Sequence, residues 1–194
     1  MKALIIVGVI ALLAGLWAIA SYNGLVNKDV EVQEKWAQVE NVYQRRFDLI
    51  PNLVETVKGA ANFEKSTFVE VTEARAKVGQ ISVDMKNAAP TVEQLKQFQQ
   101  AQQGLGAAMS RLIAVAENYP QLKANENFLA LQTQIEGTEN RISVERRNYN
   151  TVVASYNSAV RRFPGNIFAG IFGFQVKAPF ESEKGADKAP KVSF

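Results

Sequence analysis

Charged side chains interrupt apolar helical stripes at three places, Glu64, Arg75 and Glu145, and these are the first positions where chemistry could reside. Carboxylates inside a helical bundle can hold a di-iron centre, but such sites pair glutamate with a histidine three residues on, and the chain has no histidine. It has no cysteine either, which removes thiolate nucleophiles, disulfides, iron–sulfur clusters and cysteine-ligated zinc. A Ser–His triad and an imidazole switch near neutral pH go with the histidine. Glu64 and Arg75 stand three helical turns apart, about 16 Å, and so cannot pair with each other. Each needs a partner from another helix, and Arg46, Glu139, Glu145 and Arg146 are the nearest candidates in type. All six are expected to act as interhelical charge pairs that hold register, since an unpaired buried charge is strongly unfavourable. No residue is assigned a catalytic, cofactor-binding or metal-binding role, and no cofactor is expected.

Three basic pairs, Arg45-Arg46, Arg146-Arg147 and Arg161-Arg162, could meet lipid headgroups or nucleic acid. They lie among acids or apolar residues with no interleaved aromatic platform, so a solvated face or ion pairs is the expected role and nucleic acid is not expected as a partner. A net charge of +3 is too small to change that. Gly104-Leu105-Gly106 lacks the strand and the spacing of a phosphate loop and is expected to mark close helix packing or a weak point.

These residues sit on an all-helical chain. Residues 3–20, ALIIVGVIALLAGLWAIA, carry no charge. At ~1.5 Å per residue they reach roughly 27 Å, close to the ~30 Å of a hydrocarbon core. Trp17 and Tyr22 suit the aromatic belt at an interface. Ala18-Ile19-Ala20 before Ser21 also fits a signal-peptidase site, but no polar region precedes it, so an uncleaved single-pass anchor over residues 3–22 is expected. Lys2 on the short side, against Lys28 and Lys35 on the other, leaves the positive-inside count undecided. The resemblance of the N-terminus to an export signal favours a bundle outside the cytoplasm, anchored in the inner (plasma) membrane.

From Leu25 onward the apolar spacing is helical. Val32, Trp36, Val39, Tyr43 and Phe47 mark a first helix, which is expected to end at Pro51. Leu53, Val57, Ala60, Phe68, Val71 and Val78 mark a second. A third, capped by Thr91, carries Leu95, Phe98, Leu105, Met109, Leu112 and Ala116. The fourth, from about Leu122 to Phe163, has Phe128, Ile135, Ile142, Tyr149, Tyr156 and Phe163 at a seven-residue repeat, the period of coiled-coil-like packing. Short connections make neighbours antiparallel, so residues 25–163 are expected to form an elongated up-down four-helix bundle after the transmembrane helix. Residues 164–180 are rich in Phe and Gly and lie outside any expected helix. They form either a cap over the bundle or an interface to another subunit or the bilayer, with Phe168, Phe172, Phe174 and Phe180 as the candidates. Residues 181–194 are expected to be a flexible charged tail.

Taken together the chain resembles the LemA family. The resemblance runs through Tyr22-Asn23-Gly24-Leu25-Val26, Trp36, Arg46-Phe47-Asp48-Leu49-Ile50-Pro51-Asn52-Leu53-Val54, Glu64 and Ala74-Arg75. It continues through Asn118-Tyr119-Pro120-Gln121-Leu122-Lys123-Ala124-Asn125, Phe128, Thr138-Glu139-Asn140, Tyr149-Asn150, Tyr156-Asn157, Phe163-Pro164 and Phe172-Gly173-Phe174. Phe63 stands where the family often has His before the Glu, which weakens any metal or catalytic role for that dipeptide. The resemblance implies a bacterial single-pass membrane protein with a helical bundle and no established enzymatic activity. Some relatives are associated with membrane-bound organelles and others lie near membrane proteases. The functional expectation is a non-catalytic scaffold of the envelope that self-associates into a homo-oligomer or organises partner proteins. The alternative is an adaptor or regulator of a membrane protease or sensor kinase.

Overall fold

The structure, a computed structural model, describes residues 2–59, 65–83 and 89–181. Its first helix, α1 (Lys2–Lys58), is 57 residues long and carries the apolar N-terminal run into the bundle without a break. At ~1.5 Å per residue that is roughly 86 Å of continuous helix. The N-terminal part presents Leu4 to Ile19 to the surroundings, with a mean hydropathy of 2.6 over its most apolar window and none of it buried by the rest of the chain. This stretch makes the protein membrane-associated.

The break expected at Pro51 does not occur, because α1 passes through it to Lys58. The proline ring faces out, while Ile50, Leu53, Val54 and Val57 on either side of it are buried in one cluster. A mid-helix proline costs about 3 kcal/mol. Burying several aliphatic side chains at about 1.5–3 kcal/mol each outweighs that cost.

α2 (Lys65–Val83) packs against α3 (Val92–Ala116), and α1 packs against α5 (Glu126–Arg161), with the single turn α4 (Pro120–Lys123) leading into α5. Thr91 caps α3 through a reciprocal box: its hydroxyl accepts from the Gln94 N–H, and its own N–H donates to the Gln94 side chain. Such a cap satisfies two otherwise orphaned backbone donors. The Asn125 side chain caps α5 by accepting from the N–H groups of Asn127 and Phe128.

Direction follows from which residues meet. Trp36 and Tyr43 of α1 touch Phe98 near the start of α3, while Leu53 and Val57 share a cluster with Leu112 and Ala116 near its end. α3 therefore runs with α1. α5 runs against both, since Phe128 lies in the far cluster and Tyr149 meets Trp36. The result is an antiparallel up-down bundle.

Phe128, Ile135, Ile142, Tyr149 and Tyr156 are all buried along α5. The sixth member of the repeat, Phe163, lies beyond the helix and is 81% exposed. Residues 164–180 are not free of helix, because α6 (Gly165–Phe172) forms there, ended by Gly173 at φ 76°. That left-handed conformation is one that glycine adopts without steric cost. After it, residues 174–181 run back as an extended strap along the bundle.

Among the described residues, the buried apolar side chains of α2, Val71 and Val78, lie in the distal half, the end far from the apolar N-terminus, and its half-buried Ile81 touches both clusters. In the proximal half, among the described residues, the space beside α1, the first turns of α3, and α5 is filled by Ala169 of α6 and by Ala178 and Phe180 of the strap. The strap thus stands in for the fourth helix.

Candidate functional site: the membrane-proximal end and its strap

Each polar residue singled out in the sequence has a definite place, except Glu64, which lies outside the described residues. Arg46 is 4% exposed. Its guanidinium donates to the Glu139 carboxylate at 2.7 Å, to the Gln102 side-chain oxygen, and more distantly to the Gln102 backbone oxygen. It also lies 5.1 Å from the centre of the Tyr43 ring. A planar cation with several fixed acceptors is the form in which buried charge is tolerated. Gln102, itself buried, carries no signal in the sequence beyond its place on the inner face of a glutamine-rich helix.

Arg75 is half-buried rather than on the deepest stripe, and its guanidinium stacks 3.9 Å from the centre of the Phe47 ring. Glu145 is also half-buried and accepts from the Asn148 amide one turn away. Both sit at the edge of the interhelical seam, where long side chains reach water while their stems cover apolar surface. Arg146 reaches the strap: it donates to the Glu181 backbone oxygen and covers the Phe180 ring at 5.0 Å. Glu181, expected to open a flexible tail, is held from the other side by Gln99. Gly104 and Gly106 face open space, so they do not mark close packing.

The strap is zipped to α5 by side-chain amides. Asn157 accepts from the Lys177 N–H and donates to the Lys177 carbonyl, each at 2.8 Å. Seven residues earlier, Asn150 does the same for Phe180, at 2.7 and 2.9 Å. An asparagine amide has one acceptor and a donor group, so it can pair with both polar groups of one extended residue. Between them the Tyr149 hydroxyl donates to the Ala178 carbonyl. Burial pushes the Tyr149 phenol well above its ordinary value, and burial followed by the Asp29 charge pushes Tyr156 up to about 12. Lys177 closes the upper end by pairing with Asp29 of α1 at 2.9 Å. Phe180 is consequently not an open interface residue but a core one, stacked on Trp36 and edge-on to Tyr149.

Above the strap, α6 meets the end of the apolar run. Phe168 lies 5.1 Å from Trp17, and Phe172 and Phe174 lie 4.8 and 5.9 Å from Tyr22, all edge-to-face. Phe168 and Phe174 are half-buried by these contacts, whereas Phe172 keeps about half its surface exposed. Gly165 makes the turn from α5 possible: a Cβ there would fall 2.4 Å from the Ala159 carbonyl oxygen. Among the described residues no cluster of acidic side chains could hold a metal ion.

A helical bundle welded to an apolar N-terminal helix, with its C-terminal strap and aromatic cap at the membrane-facing end, defines a membrane-associated helical protein. A family model described as LemA family matches residues 35–194, and the chain belongs to that family. Among curated proteins it is 28% identical to "Magnetosome protein MamQ 2" of Paramagnetospirillum magneticum, over 97% of this chain and 74% of that one. It is equally 28% identical to "Magnetosome protein MamQ" of Magnetospirillum gryphiswaldense, over 89% of this chain and 68% of the relative. "Protein LemA" of Metamycoplasma hominis is 28% identical over 76% of this chain and 63% of its own length.

Proposed function

We propose that the protein is a non-catalytic scaffold, anchored once in the inner membrane, that self-associates or organises partner proteins at the envelope, a membrane protease among them. The observation that carries this reading is the 57-residue α1, which joins the apolar run to the bundle core with no hinge between them. Such rigidity suits a scaffold, because the direction in which its faces point is then set by the membrane. The polar groups support the same reading: the buried Arg46 guanidinium of α1 is tied to Gln102 of α3 and to Glu139 of α5, so it joins three helices to one another. The proposal places the bundle on the extracytoplasmic side. The MamQ relatives are named as magnetosome proteins, a name that denotes no enzymatic activity.

Cross-linking in intact cells, followed by gentle detergent extraction and light scattering, tests the proposal. A defined homo-oligomer, or a stoichiometric complex with an envelope protein, is the expected result. A monomer that captures no partner overturns it, and a substoichiometric kinase or protease partner moves the reading to an adaptor.

A further inference from the structure

We propose that α6 and the Phe163 before it form a second membrane contact, seated among the lipids of the leaflet that holds Trp17 and Tyr22. The inference rests on α1 crossing the membrane, and it adds a function to a segment that the scaffold reading leaves unused. Exposed apolar side chains elsewhere on the bundle are scattered singly, as at Val69, Val92, Leu129 and Val144. Isolated exposures of that kind are ordinary. On and around α6 they are gathered: Ile167 and Ile171, one turn apart on the same face of the helix, are 49 and 69% exposed, and Phe163 in the turn just before it is 81% exposed.

Two further observations name the occupant. The adjoining flank of α6, through Phe168, touches Trp17 at the level where α1 leaves the apolar run, so the exposed face continues the lipid-facing surface of α1. The charges also fit: Arg161 and Arg162 are exposed at the entry to α6, and no acidic residue occurs from 161 to 176. Apolar side chains beside arginines and free of acids suit the boundary between acyl chains and anionic headgroups. A helix of eight residues does not hold its shape alone. Here Ala169 is buried against the bundle and the Phe174 N–H donates back to the Ala169 carbonyl, so the face is presented ready-made.

The chain has no native cysteine, so single labels can be placed without background. Full-length Ile10→Cys, Ile167→Cys, Ile171→Cys and Leu129→Cys, each carrying a small fluorophore, are reconstituted in phosphatidylcholine–phosphatidylglycerol vesicles. Emission is then challenged with lipid-borne nitroxides and with aqueous iodide. The proposal expects nitroxide quenching at Ile167→Cys and Ile171→Cys several-fold greater than at Leu129→Cys, together with protection from iodide. Quenching by nitroxide at Ile10→Cys alone, with Ile167→Cys and Ile171→Cys open to iodide, overturns the second contact and leaves the anchor standing. Protection from both quenchers that disappears when protein is diluted among the vesicles assigns the face to a second copy and overturns it too. Iodide access at Ile10→Cys removes the anchor itself, and with it the premise.

Discussion

The proximal half of the rod is rich in buried rings and the distal half is almost wholly aliphatic. Six of the sixteen buried residues of the first are aromatic: Trp36, Tyr43, Phe98, Tyr149, Tyr156 and Phe180. Leu53, Val57, Leu105, Met109 and Leu112 dominate the second, where Phe128 is the one buried aromatic among the described residues. The distal half has four helices, whose interdigitating aliphatic side chains fill the seam. In the proximal half the fourth position is taken by an extended strap, which sends in only alternate residues, Ala178 and Phe180. Large rings make up the missing volume, and asparagine amides replace the hydrogen bonds that a helix would have made within itself. The distal half is held by packing with an exposed ion pair across it, Arg111 to Glu70 at 2.7 Å, and the proximal half by packing plus a buried polar zipper.

That difference can be broken from either side. Phe180→Ala removes a 4%-exposed ring packed on Trp36 and Tyr149 and is expected to cost about 3–5 kcal/mol in thermal or denaturant melts. Loss of protection should concentrate in the proximal half. Arg46→Ala, at the boundary of the two halves, strands the buried Gln102 oxygen and is expected to cost about 3 kcal/mol. Glu139→Gln should cost less than about 1 kcal/mol by the same melt, since the Glu139 side chain is 44% exposed.

Asn157→Ala removes both bonds to Lys177 and is expected to cost about 1–3 kcal/mol, while Asn157→Asp should restore only the accepting half. Alkaline pH acts on the same half. A phenol raised in the fold favours the protonated native state, so the stabilisation is complete below the unfolded value near 10 and is lost as pH rises through about 12 for Tyr156. Melts taken across that range should fall, and Tyr156→Phe should flatten the dependence. The smallest change belongs to the distal side of the boundary. Gly104 sits in a helix interior with nothing near its absent Cβ, so Gly104→Ala should raise stability by about 0.5–1 kcal/mol.

The helical class, the apolar N-terminal helix and the Thr91 cap were legible because periodicity and capping are local. Five of the six heptad positions of α5 are buried for the same reason. Pro51 misled because its local penalty is visible in the sequence, whereas the tertiary burial that overrides it is not. The strap was invisible to periodicity: an extended segment docked on helices has no hydrophobic period of its own. Its trace was nonetheless present in the Tyr149-Asn150 and Tyr156-Asn157 pairs, repeated at seven residues with the asparagine beside the buried ring. An asparagine at the edge of a buried seam, spaced like the core itself, has something extended to bind.

The most direct test of the two-halves account is hydrogen exchange of the full chain in nanodiscs, comparing the native protein with Asn150→Ala. The account predicts that the native Phe180 amide, which donates to Asn150 at 2.7 Å, exchanges as slowly as α5 amides around Tyr149. In the variant, residues 177–181 should lose protection while those lining the distal cluster, 101–135, keep theirs. An unprotected Phe180 amide in the native chain, or an equal loss in both halves of the variant, would contradict it.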